Sequence, residues 1–334
     1  MLLGQAEPDM KNALLASSNK NRLRQLLDDV PPVIWIILLL MVTFTFLSKN
    51  YLSISNLTNI AQQGAVLLLV AAAQTFVILS GGLDLSLGSV LTLSGITTAI
   101  ALNAGIPIPI AILIGLITGA ACGGITGLLI AYANIQPFIA SLGIQGIFYG
   151  FALALTKTTA IFITNRDFAV MGSKINGIPM AAIISGILYL VLIKVSTDTQ
   201  FGRYVIAIGG NESGTRLSGI DTTKYKWLVY VFAGFVTALG GVLLASRLEV
   251  ADPIVGVGWE FDAIAATILG GTTFTMGKGS VSKTIIGVLL ISVIRNGLNV
   301  IGVPSIWQPA LTGTLLIASI VFQIWFSLRK EARQ

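Results

Sequence analysis

TNIAQQGAVLLLVAAAQTFVILSGGLDLSLGSVLTLSGITTAIALNAGIP, residues 58–107, contains a single ionisable acid or base, Asp84, and its two apolar lengths are divided by the glycine-rich break GGLD at 81–84. A helix needs about 20 apolar residues to cross roughly 30 Å of hydrocarbon. Each half of the stretch meets that need. The poverty of charge continues on both sides: apart from Cys122 and the tyrosines, Asp84 is the one acid or base between Lys49 and Lys157. Such a chain belongs in lipid, where backbone groups must be satisfied internally and helices are the simplest solution.

Composition agrees. Hydrophobic residues make up 54% of the 334 and charged residues 10%, against roughly 25% charged in soluble domains, so a soluble fold would lack the charge to cover its surface. The net charge of +6 comes from basic residues scattered near the ends of apolar tracts. They read as topology signals rather than as a nucleic-acid surface. Cys122 is the only cysteine and histidine is absent, which leaves neither a disulfide framework nor a zinc spacing.

Apolar tracts poor in charge at 31–48, 55–79, 86–105, 108–131, 137–156, 175–195, 227–246, 261–277, 281–301 and 307–327 predict an all-α polytopic membrane protein of about ten transmembrane helices, with broken or re-entrant Gly-rich segments. The implied organisation is a cytosolic tail at 1–30, six spans within 31–196, a cytosolic loop at 197–226, four spans within 227–328 and a cytosolic tail at 329–334. Residues 1–30 show no short apolar region followed by a cleavage site, so no cleaved signal is expected. That tail reads as disordered, with a surface helix at Asn21–Leu27 as the alternative. Lys and Arg cluster at 11–24, 194–226 and 329–333, which places those segments in the cytosol; Lys157, Arg166 and Lys174 run against the rule.

Gly115, Gly119, Gly123 and Gly127 recur every four residues. They predict a smooth helix face for close packing, with a direct part in the permeation path as the lesser reading. Nucleotide motifs fail. In GGTTFTMGKGS, residues 270–280, five residues separate Gly271 from Gly277 where a phosphate loop needs four, and Gly279 follows Lys278 where Ser or Thr is required. AIGGNESG, residues 207–214, lacks the dinucleotide spacing. No catalytic constellation emerges.

The polar residues inside apolar tracts are therefore the candidates for function, because an ionisable group at membrane depth is costly. Asp84 caps the following helix, contacts solute or gates its path, or relays a proton; Ser86 beside it joins the same path-or-gate set. Arg295, with Asn296 and Asn299, either snorkels outward or lines the outer part of a path, and Glu260 and Asp262 are possible ion-pair partners nearby. In the basic loop, residues 211–220 predict a short helix capped by Asn211, with a Glu212–Arg216 pair at i,i+4 and Leu217 and Ile220 on one face. Gly209 and Gly210 would let the chain turn before Asn211. So short a helix has little stability alone, which points to a partner surface.

Three motifs in order carry a resemblance: ILSGGLDLSLGS at 78–89; FGRYVIAIGGNESGTRLSGI at 201–220; and EFDAIAATILGG at 260–271 with GKGS at 277–280 and NGLNVIGV at 296–303. Over residues 50–327 the chain resembles the permease subunits of bacterial ABC importers for ribose, xylose and related monosaccharides. Leu83 stands where isoleucine is common in that family, and Met276 replaces a glycine that often precedes the GKG run. The resemblance implies a transport subunit of the inner membrane without an ATP site or any bound cofactor. ATP and Mg²⁺ would be held by separate cytosolic ABC ATPase subunits. The other implied partners are a second permease copy or close paralogue and an extracytoplasmic sugar-binding protein that delivers the monosaccharide. It also makes Gly209, Gly210, Asn211, Arg216, Leu217 and Ile220 the ATPase coupling segment. An ion-gradient-driven secondary transporter is the alternative, weakened by the scarcity of membrane acids, and a structural scaffold is a third.

Overall fold

The computed structural model describes residues 31–273, 277–304 and 306–331. The expected tail at 1–30, with its alternative helix at Asn21–Leu27, and Met276 lie outside the described residues. In chain order the elements are α1 (Pro32–Leu47), α2 (Ile54–Leu79), α3 (Leu87–Asn103), α4 (Ile108–Ala131), α5 (Pro137–Thr156), β1 (Ile161–Phe162), α6 (Arg166–Ala169), β2 (Lys174–Ile175), β3 (Ile178–Pro179), α7 (Met180–Asp198), α8 (Gln200–Gly210), α9 (Glu212–Leu217), α10 (Thr222–Leu248), β4 (Val250–Ala251), α11 (Trp259–Leu269), α12 (Val281–Val300) and α13 (Gln308–Glu331).

Helix length corrects the expectation of about ten spans. Among the described residues six helices, α2, α4, α5, α7, α10 and α12, are long and apolar enough to cross a membrane. At 1.5 Å per residue, α1 with 16 residues reaches about 24 Å and α3 with 17 about 26 Å. α11 has 11 residues and reaches about 17 Å. An apolar tract measures how long a chain avoids charge, which is not how far one helix runs. The tract at 261–277 makes the point: its helix ends at Gly270, and Gly271 takes φ +88°, a conformation that stops helix growth.

Local chemistry sets the helix starts. Pro32 and Pro137 occupy first helical positions, where the missing N–H costs nothing. Ser53, Thr199, Asp221 and Ser280 each accept a backbone N–H in the turn that follows, the usual role of such residues at a helix start. α2 and α10 form the centre, with α4, α3, α11 and α12 around them. The closest joint is between α4 and α10: a Cβ on Gly119 would meet Gly234 O at 2.6 Å, and a Cβ on Gly123 would collide with Tyr230 O. Gly234 completes the fit from the opposite side, lying against Gly119 O and Gly123. Gly115, one turn earlier, abuts Thr98 and Ser94 of α3, and Gly127 lies on Trp227 and Tyr230.

α10 joins two ends of the molecule. At its start lie α8 and α9; at its finish, β4 pairs antiparallel with β1 through Ile161↔Ala251 and Phe162↔Val250. The expected 211–220 helix is shorter than predicted, Glu212–Leu217, because Ser218 closes it and Gly219 turns away at φ +84°. The role expected of Gly209 and Gly210 as a turn is also corrected. Both lie inside α8, and the chain turns at Asn211, which is extended at φ −159°. What Gly209 permits is contact: a Cβ there would strike Leu79 O.

Candidate functional site

A cavity of about 620 Å³ opens between α2, α10, α11, α12 and α13, near the end of the molecule where α10 finishes. Its polar walls include Gln63, Arg247, Asp262, Arg295, Asn299 and Gln308, with Trp259 and Phe261 supplying aromatic surface. Arg295 of α12 and Asp262 of α11 form an ion pair, the aspartate side chain 9% exposed and the arginine 39%. The pair is set by helix geometry: α11 packs against α12 through a bare patch where Gly287 touches Ala266 O, bringing side chains 33 positions apart into register. Asn299, one turn beyond Arg295, accepts from Gln308 Nε2 at 2.7 Å, and Gln308 also donates to Val303 O at 3.0 Å. Arg247 reaches Gln62 O at 3.4 Å.

The arrangement offers guanidinium and amide donors together with carboxylate and amide acceptors around one open volume. It can hold a polar solute through several hydrogen bonds at once. It presents no nucleophile with an orienting base, so binding and passage are the chemistry available to it.

Among the predicted path residues, Arg295 and Asn299 line this cavity and Asn296 does not. Asn296 is buried one residue away, exchanging reciprocal amide bonds with Asn56 at 2.9 and 3.0 Å, while Asn56 also donates to Tyr51 O at 2.8 Å. That junction fastens α12 to the start of α2. Among the described residues Glu260 takes no cationic partner. It lies buried between α3, α5 and α11, accepting from Gln145 Nε2 at 2.7 Å and Gly258 N–H at 3.3 Å, with its other oxygen pressed against Gly88.

Asp84 and Ser86 lie apart from the cavity, in the turn between α2 and α3, and both are fully buried. Asp84 Oδ1 accepts from Ser86 N–H at 2.8 Å and from Ser86 Oγ at 2.6 Å. This local bond closes the turn before α3 begins. Ser86 Oγ lies 3.4 Å from Thr126 Oγ1 of α4, while Asp84 Oδ2 is buried without a hydrogen-bond partner among the described residues.

At the opposite end Asn211 caps α9, accepting from Gly214 N–H at 2.9 Å. Arg216 meets Glu212 at 3.4 Å and donates to Thr222 Oγ1, and Lys226 holds Glu212 at 2.5 Å. The helix is thereby tied to the first turn of α10. Leu217 is 90% exposed and Ile220 half-buried. Sequence reading missed Gln63, Arg247, Trp259 and Gln308 at the cavity. Arg247 alone carried a signal, as a cation at the end of an apolar tract.

Residues 56–320 match the family described as the branched-chain amino acid transport system, permease component. The ribose import permease protein of Haemophilus influenzae is 36% identical over 299 residues, covering 88% of this chain and 93% of that one. Its counterpart in Bacillus subtilis is 39% identical over 286 residues, covering 85% and 89%. The D-allose transport system permease protein of Escherichia coli is 36% identical over 289 residues, covering 86% and 89%.

Proposed function

The chain belongs to this family of transport-system permease components, and from that premise we propose that it is the membrane-spanning subunit of an ATP-driven importer that passes a monosaccharide such as ribose into the cytoplasm. ATP hydrolysis belongs to a separate subunit. The observation that carries the reading is the polar cavity of about 620 Å³ with the Arg295–Asp262 pair on its wall. The family description names branched-chain amino acids, whereas relatives that align along most of their length are named for ribose and allose. The relatives' names favour the sugar, and the lining is compatible with one: a ring of hydroxyls can bond to Gln63, Asn299, Gln308 and the two arginines.

The proposed assembly has two permease copies, or this chain with a close paralogue, two cytosolic ABC ATPase subunits and an extracytoplasmic sugar-binding protein. The proposed setting is the bacterial cytoplasmic membrane. The 197–226 loop and both tails face the cytosol, so the large cavity opens toward the outer side, where a binding protein would deliver its cargo. Asp84 and Ser86 act as a rigid turn at the gate between α2 and α3, supported by their full burial and mutual bonds.

The test is uptake of labelled ribose into liposomes holding the chain with its ATPase and binding protein. Uptake should require both partners and internally supplied ATP. Uptake driven by an ion gradient without the ATPase would overturn the assignment.

A further inference from the structure

On the membrane-facing surface a second, shallow groove of about 480 Å³ runs between α4, α7, α8 and α10, walled by Ala120, Val195, Phe201, Val231, Phe232 and Phe235. Its one hydroxyl, on Thr199, is spent locally, donating to Val195 O at 2.6 Å and accepting from Gly202 N–H. The floor is firm. Phe201 and Phe232 pack tilted at 60° with centroids 5.3 Å apart, and both rest on the buried Phe76 of α2. Leu228, Val231 and Phe235 share one face of α10 with Lys224, which stands one turn nearer the helix start. From Lys224 to Phe235 is about 16 Å at the helical rise.

Lys224 is exposed, and its side chain enters none of the ion pairs found among the described residues. Arg203 is exposed on α8, just beyond the groove-lining Phe201. Beside them Tyr204 and Tyr225 pack edge to face at 4.8 Å, the residue type that collects at the level of lipid headgroups. Nearby Asp198 accepts from the Thr197 hydroxyl. An apolar slot of acyl-chain length, headed by an exposed cation that enters no ion pair among the described residues, has the polarity of one anionic lipid.

We infer that an anionic phospholipid binds in this groove, one acyl chain lying on Phe201, Phe232 and Phe235 and the phosphate at Lys224. A second copy of the chain is the competing occupant, and cross-linking from Phe235 tells it from lipid. The site does not depend on which solute the chain passes. Lipid held there braces α8 against α10, directly beside α9.

The experiment is native mass spectrometry of the full chain released from nanodiscs of mixed phosphatidylglycerol and phosphatidylcholine. One phosphatidylglycerol should remain bound in preference to phosphatidylcholine. Lys224→Gln should lower its retention about fivefold, the scale of one lysine facing an anionic surface, and Val231→Trp, which fills the slot, should abolish it. A photoreactive phenylalanine analogue at Phe235 should cross-link to lipid in the otherwise unaltered chain. Equal retention of the two lipids, retention indifferent to Lys224→Gln, or cross-linking of Phe235 to a second chain in place of lipid would each overturn the inference.

Discussion

Arg295 was legible in the sequence as an isolated cation in an apolar tract, and Asp262 as one of two acids able to answer it, but which acid pairs with it depends on how α11 lies on α12. The two carboxylates are two positions apart on one helix, and the helix turns Asp262 toward Arg295 and Glu260 toward Gln145. Asn296, adjacent to Arg295, is turned away by one step of about 100° and serves the Asn56 junction. Removing one member of a largely buried pair leaves the other charge uncompensated, while removing both leaves an apolar contact. Arg295→Met should therefore lower stability by about 1–3 kcal/mol, the scale of a buried polar group left unpaired. Asp262→Leu added to it should recover part of that loss without restoring transport. Thermal unfolding in detergent, alongside ribose uptake, checks both halves; a double variant less stable than the single one would remove the pair from the account of the cavity.

At the level of whole helices, the glycine period at 115, 119, 123 and 127 announced a close-packed face, and α10 is what lies on it. The partner was not legible because close approach needs Gly234 on the facing helix, and Gly234, Gly240 and Gly241 of that helix do not recur every four residues. Gly123→Ala puts a methyl into the carbonyl of Tyr230, backbone that cannot swing aside, so it should cost about 1–3 kcal/mol, as overpacking does. Gly146→Ala on α5 meets nothing within 4 Å and should be neutral or stabilising by up to about 1 kcal/mol. Equal melting temperatures for the two variants in detergent would refute the seam. Helix type was readable nearly everywhere, since charge-free tracts leave no alternative. Helix extent was not readable at 261–277, because Gly271 ends its helix through positive φ, and a glycine inside an apolar tract looks the same whether it packs or terminates.

Across the whole molecule, the proposed coupling route can be followed residue by residue from the exposed helix α9 to the core. Glu212 is held by Lys226 and Arg216 by Thr222, so a displacement of α9 is passed to the start of α10. α8 runs back from Asn211, and its Gly209 presses on Leu79 and Gly81 at the end of α2, while Gly277 lies against Ile206 O and Gly210 N. A push on α9 would reach the Asp84 turn through Gly81 and the segment before α12 through Gly277, the proposed way for a subunit with no ATP site of its own to be driven by one that has it. Leu217 is the large apolar side chain this helix leaves almost wholly in solvent, and nothing in the fold depends on it. Leu217→Asp should leave insertion and detergent stability unchanged, since an exposed substitution typically shifts stability by less than about 0.5 kcal/mol. Burying an aspartate in an apolar contact with the ATPase should by contrast reduce co-purification of that subunit at least tenfold, about 1.4 kcal/mol or more. It should also remove the stimulation of ATP hydrolysis by solute-loaded binding protein. Full co-purification and full stimulation in this variant would place the ATPase contact elsewhere on the cytosolic face.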